Sequence, residues 1–165
     1  ANPLTLEIAF AGDKPSQKML SQILQSQLKH AHIALSLRAL EPSMLQNRKK
    51  NGEFDIVFNE SWGAPYEPLS MLVSYTTPTG HGDFIAQSGL ENKNEIDALI
   101  LRVIIEPNAQ KAQILSHKAL DLLLQSGVYI PLAIERNKAI ARSQIKGVEG
   151  ISGLSYEIPV WEFWE

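Results

Sequence analysis

The chain has 165 residues, of which 20% are charged and 44% hydrophobic, with a formal net charge of -3. That is an ordinary globular composition, long enough for one domain with a sizeable core, and it has no basic excess to suggest nucleic acid or an anionic membrane as partner. Cysteine is absent, which excludes a disulfide scaffold, a thiol nucleophile and thiolate metal sites, and no run approaches the roughly 18 consecutive apolar residues of a membrane-spanning helix.

Leu4, Leu6 and Ile8 alternate with Thr5 and Glu7, which predicts a half-buried strand. Gly12-Asp13-Lys14-Pro15 is a turn, and Pro15 suits the first turn of a helix. Leu20, Ile23, Leu24, Leu28 and Ala31 follow at helical spacing, with Gln17, Gln22, Gln25 and Lys29 assigned to the outer face. Ile33, Leu35, Leu37 and Ala39 return to period two, completing a βαβ unit that favours parallel strands and a right-handed crossover. A short helix near Ser43 to Lys50 should end at Asn51-Gly52, with Lys49 and Lys50 suiting the negative end of its dipole.

Phe54 to Phe58 is an apolar run rich in aromatic and β-branched residues, read as a buried strand. It runs into Trp62-Gly63-Ala64-Pro65-Tyr66, a turn-forming segment with two large rings. The loop after a strand's carboxyl end is where ligands bind in an open α/β sheet, so Trp62 and Tyr66 are candidates for a cleft wall. Their faces could stack on a flat ligand or a cation, or they could simply plug the sheet edge.

A short helix around Leu69 to Val73 comes next, then an exposed loop from Thr76 to Asp83. Ile96, Leu99, Ile100, Val103 and Ile104 predict an amphipathic helix stopped near Pro107. Asn108 can cap a second one that buries Ala112, Leu115, Ala119, Leu122 and Leu123 and ends at Gly127. Val128 to Ile134 and Ala139 to Ala141 read as strands. Beyond Lys146 the glycines at 147, 150 and 153 break the pattern, and Trp161, Phe163 and Trp164 crowd the end.

Among the histidines, His81 stands between two glycines in the loop, where imidazole could reach a metal or remain solvated. His30, His32 and His117 fall on a surface turn and an outer helix face. Nickel or copper wants four to six donors, so one cleft histidine without thiolates would leave most donors to another lobe or to a small chelator such as free histidine. No nucleophile elbow, P-loop or dinucleotide fingerprint is present, and Asp55, Glu60, Glu67 and Asp83 show no paired spacing.

The stretch FDIVFNESWGAPYEP resembles the strand and aromatic loop in the second lobe of bacterial extracytoplasmic solute-binding proteins. The subgroup is the one serving dipeptide, oligopeptide and nickel ABC transporters, and the loop is most similar to its nickel-binding branch. Leu4 to Phe58 is similar to the family's opening strand and helix run, and Val128 to Leu132 to its Val-Tyr-Ile-Pro-Leu strand. The resemblance implies an α/β fold, a mixed sheet with helices on both faces, forming one lobe of a two-lobed periplasmic-binding-protein fold. It implies that Trp62 and Tyr66 line the cleft around a metal chelate and that His81 contacts the metal. The peptide branch carries an Asp that pairs with the peptide amino terminus; Pro65 stands there instead, without charge or amide donor.

By the same resemblance, residues 1–134 correspond to the second lobe and 135–165 to a crossover returning to a first lobe, in a protein roughly three times longer. The implied function is extracytoplasmic capture of nickel, as a chelate such as nickel–histidine, by lobe closure and delivery to an ABC permease, in the periplasm or at the cell surface. A short peptide is the alternative ligand, and a small α/β enzyme or regulatory domain the distant alternative. Without the first lobe, the aromatic tail should pack on its own lobe or swap into a neighbouring copy as a homo-oligomer.

Overall fold

The computed structural model describes residues 4–60, 68–78, 82–134, 140–148 and 163–164. In chain order they form β1 (Leu4–Ala11), α1 (Pro15–His30), β2 (Ile33–Leu40), α2 (Pro42–Asn51), β3 (Ile56–Val57), α3 (Pro68–Thr76), α4 (Asp83–Gln87), α5 (Lys93–Ile105) and α6 (Ala109–Gln125). The period-two runs and the Pro15 turn thus give the βαβ unit they imply. β1 pairs in parallel with β2 from Leu4↔Ile33 to Ala11↔Leu40. β1 also pairs in parallel with β3 at Ile8↔Ile56 and Ala9↔Val57, giving the order β2-β1-β3. Antiparallel pairing among the described residues is an isolated bridge between Lys146 and Trp164.

The two faces of β1 follow its alternation. Ala9 and Ala11 pack with Leu40 and with Leu45 of α2, while Leu6 and Ile8 look toward the side of Leu24 and Leu28 of α1. Helices therefore cover both faces of the sheet, as expected for the α/β class. A second core joins Leu72 and Tyr75 of α3, Ile96, Leu99, Ile100 and Val103 of α5, and Ala119 and Leu123 of α6. Each large apolar side chain there is worth on the order of 1.5–3 kcal/mol. α2 stops where Gly52 takes a left-handed φ of 72°, and α6 starts where the Asn108 side chain accepts the Lys111 amide.

Several expectations are corrected. Gln17, assigned to an outer face, is buried, whereas Ile104 is exposed. The exposed loop read through Asp83 gives way at that residue to α4, and Asp83 is 5% exposed. Phe54 to Phe58 is half-buried and narrows to the two-residue β3. No strand forms over Val128 to Ile134, where Ile130 and Ile134 are exposed. Pro131 removes a ladder donor from the middle of that run, and the run pairs with none of the described strands. Ile140 and Ala141 are likewise not in a strand, and Ala139 lies outside the described residues. So does Trp161; Phe163 is half-buried and Trp164 exposed.

Candidate functional site

The strand order places a crevice. α1 carries the chain from β1 to β2 on one side, and α2 carries it back to β3 on the other. The carboxyl ends of β1 and β3 therefore flank a topological switch point, the place where open α/β sheets bind ligands. A polar cavity of about 250 Å3 opens there. Its walls come from the β1–α1 turn (Ala11, Lys14, Gln17), α2 (Gln46, Lys49), the segment after β3 (Asn59, Glu60) and the start of α4 (Asp83).

On one wall, Lys14 Nζ donates to both Glu60 carboxylate oxygens at 2.6 Å. Gln17 Nε2 donates to Glu60 Oε1 at 2.9 Å, and Gln17 Oε1 accepts the Ala11 amide at 3.0 Å. Both ends of the buried amide are thus satisfied, which is why a glutamine occupies a core-facing position. The Lys14 hydrogen bond, helped by Gln17 and opposed by desolvation, holds the Glu60 carboxyl below the usual carboxylate range.

On the other wall, Lys49 Nζ donates to Asn59 Oδ1 at 2.8 Å, and Asn59 Nδ2 donates to Asp83 Oδ1 at 2.9 Å. The Tyr129 hydroxyl donates to Asp83 Oδ1 at 3.1 Å and accepts Gln87 Nε2 at 2.8 Å. Ser74 Oγ makes a longer contact of 3.4 Å to Asp83 Oδ2. Lys49 is 7% exposed; burial pushes its pKa down, and Asp83, then Glu60, oppose that. The Tyr75 and Tyr129 rings stack with centroids 5.4 Å apart. Burial is the main cause that pushes both hydroxyls up. A second, largely apolar cavity of about 430 Å3 runs beneath α1 and shares Lys49, Phe58, Asn59 and Asp83 with the first.

Trp62, Tyr66 and His81 lie outside the described residues, as does Pro65. The structure brings together the roots of the segments that carry them. The aromatic segment leaves the sheet through Asn59 and Glu60, both on the cavity wall, and ends at Pro68, the first residue of α3. His81 precedes Gly82, whose φ of 96° is left-handed and whose Cα faces the Lys49 backbone. His30, His32 and His117 are exposed, and His32 has a φ of 58° in the turn before β2. Among the described residues no group of three or more His, Asp or Glu could hold a metal ion.

Lys14, Gln17, Lys49, Asn59 and Asp83 escaped sequence reasoning as site residues. No spacing links them; the available signal was Asn59 and Glu60 within the aromatic motif itself. None of this assembles a nucleophile with a base. It builds a polar crevice suited to holding a small solute.

No protein-family model matches the chain. It is 30% identical over 157 residues to the nickel-binding periplasmic protein of Escherichia coli strain K12, covering 95% of this chain and 30% of that protein. It is 28% identical over 161 residues to a dipeptide-binding protein of Lactococcus lactis subsp. cremoris, covering 94% of this chain and 28% of the relative. The crystal structure of NikA from Brucella suis in complex with Fe(III)-EDTA superposes with a TM-score of 0.74 at 36% identity, over 79% of this chain and 26% of NikA. The unliganded murein tripeptide-binding protein MppA shares the fold, with a TM-score of 0.62 at 19% identity over 76% of this chain and 24% of MppA. The chain spans about 30% of the length of the curated relatives it matches. By their names, the Escherichia coli and Lactococcus lactis relatives are binding proteins.

Proposed function

Because the chain belongs to the extracytoplasmic solute-binding proteins of the dipeptide, oligopeptide and nickel transport family, we propose that it forms the ligand-capturing lobe of a nickel importer. Residues 1–134 make the second ligand-binding lobe, and residues 135–165 cross back toward a first lobe of the same protein. The solute is nickel held by a small chelator, such as nickel–histidine. Trp62 and Tyr66 stack on the chelate and His81 contacts the metal. Hinged closure of the two lobes buries the ligand outside the cytoplasmic membrane for delivery to an ABC permease.

The observation that carries this reading is where the aromatic segment begins. It starts at Asn59 and Glu60, on the wall of a polar crevice at the carboxyl ends of β1 and β3. The similarity to a nickel-binding periplasmic protein supports nickel, and NikA in complex with Fe(III)-EDTA supports a metal held as a chelate. Pro65 supports it too, since it leaves no carboxylate for a peptide amino terminus. A short peptide is the second reading, favoured by the 28% identity to a dipeptide-binding protein over 94% of this chain. Calorimetry with nickel–histidine and with dipeptides, on the complete gene product carrying this sequence, separates the two.

A further inference from the structure

Lys49 is a buried cation that takes part in none of the ion pairs among the described residues. It is 7% exposed, and its ammonium donates to the neutral amide of Asn59 at 2.8 Å. Lys93, buried to a similar degree, pairs with Asp97. The carboxylates near Lys49 are engaged by other donors. Asp83 accepts from Asn59 and from the Tyr129 hydroxyl, and Glu60 pairs with Lys14. Buried charges are ordinarily paired, because an ion taken out of water is strongly disfavoured without a counter-charge. An ammonium also has three donor positions, of which the Asn59 amide takes one.

That ammonium stands at one end of the apolar cavity of about 430 Å3. Lys49, Phe58, Asn59 and Asp83 line both this cavity and the polar crevice, so they mark where the two join. From the junction the cavity follows β1 back through Ile8 to Leu6, beneath Leu24 and Leu28 of α1. Ile130 and Leu132 also line it, and both are exposed. Protein interiors leave few voids larger than a water molecule, whereas this volume falls among small-molecule pockets, about 300–1,000 Å3. A cavity with apolar walls stays dry and takes apolar ligands. The remaining carboxylate in its wall, Asp55, precedes β3, away from the junction; it is exposed and accepts the Glu7 amide at 2.9 Å. The result is an elongated apolar trough with an unpaired cation at its junction with the crevice.

We propose that this cavity binds a small amphipathic carboxylate, an unbranched medium-chain fatty acid, with the carboxylate on Lys49 and the hydrocarbon chain along Ile8, Leu6, Leu24 and Leu28. The anion supplies the counter-charge that Lys49 lacks, and the chain covers the apolar wall. Burial pushes the Lys49 pKa down, and a bound anion offsets that penalty. The site lies within this chain's own fold, whichever solute the polar crevice takes.

The test is calorimetry on the complete gene product with hexanoate, octanoate and 1-octanol, in wild type, Lys49→Met and Ala86→Phe. Ala86 lines the cavity from α4, and a phenyl ring there fills it. Wild type should bind octanoate, with affinity rising about fourfold for each methylene added from hexanoate. Lys49→Met keeps the apolar stem and removes the charge. It should weaken octanoate at least about tenfold and leave 1-octanol within about threefold of wild type. Ala86→Phe should weaken both ligands at least about tenfold, and Leu28→Phe, which fills the cavity from α1, should do the same should Ala86→Phe fail to fold. Absence of octanoate binding in wild type overturns the proposal, as does an affinity independent of chain length. Equal octanoate affinity in wild type and Lys49→Met removes the carboxylate from Lys49, and equal affinity in the filled variants places the ligand outside the cavity; either result also overturns it.

Discussion

The carbonyl oxygen of Lys49 lies 2.8 Å from the point that a Cβ on Gly82 would occupy. Backbone of α2 and backbone of the α4 entry are thus in direct contact, one residue after His81 in the chain. Gly82 also has a φ of 96°. Gly82→Ala therefore meets two obstacles, a strained conformation and a main-chain clash. It should cost on the order of 1–3 kcal/mol in urea unfolding. Gly89 is the control, because a methyl group added there would meet nothing within 4 Å and its φ is not left-handed. Gly89→Ala should change stability by less than about 1 kcal/mol.

The helical core should respond by burial, not by residue type. Ile100 is 0% exposed and Ile105, on the same helix, is 77% exposed. Ile100→Ala should destabilise by about 2–5 kcal/mol, as lost transfer energy plus a cavity. Ile105→Ala should stay within about 0.5 kcal/mol. Equal losses at both positions would show that α5 packs a different face.

Stability should fall as the solution turns alkaline. Burial raises the Tyr75 and Tyr129 hydroxyls above their ordinary pKa. The unfolded chain then releases those protons at about pH 10 while the folded chain keeps them. Their contribution is full below that pH and is lost as pH rises beyond it. Lys49 works in the opposite direction, because its folded pKa is depressed and its burial penalty fades as pH rises toward its unfolded value. Tyr75→Phe removes one of the two tyrosines, so denaturation midpoints measured from about pH 8 to 11 should decline less steeply than in wild type. An unchanged slope counts against a buried, protonated Tyr75.

Gln17 and Asp83 show why part of the site was not legible. The period-two and helical patterns gave β1, α1, β2 and α5 because apolar side chains at regular spacing have one stable use. Asn108 and Gly52 marked helix ends because cap chemistry is local. Gln17 is polar and so was placed outside, yet the Ala11 amide and Glu60 satisfy it inside. Those partners are set by tertiary packing. Asp83 follows a run of Thr, Pro and Gly that reads as loop, and its burial depends on Ser74, Asn59 and Tyr129 meeting from three elements. Val128 to Ile134 has the composition of a strand, but a strand also needs a neighbour, and composition does not supply one.

In the complete gene product, Trp62→Ala should weaken nickel–histidine binding by roughly 0.5–2 kcal/mol, the range of a desolvated stacking contact. His81→Ala should weaken it further while leaving the far-ultraviolet dichroism unchanged. Wild-type affinity in either variant removes that residue from the site.

If the chain is one lobe of two, as proposed, the 165-residue chain alone should bind nickel–histidine at least about a hundredfold more weakly than the complete gene product, a loss of roughly 2.8 kcal/mol. Equal affinities would place the whole site within this chain.

The most direct test is competitive calorimetry on the complete gene product, with metal and amino-acid analysis of the protein as purified. A nickel-chelate receptor should bind nickel–histidine at least about a hundredfold more tightly than any dipeptide, and should carry nickel with a small chelator when isolated from nickel-supplemented cells. Tight dipeptide binding, with no heat from nickel–histidine and no nickel in the purified protein, would contradict it.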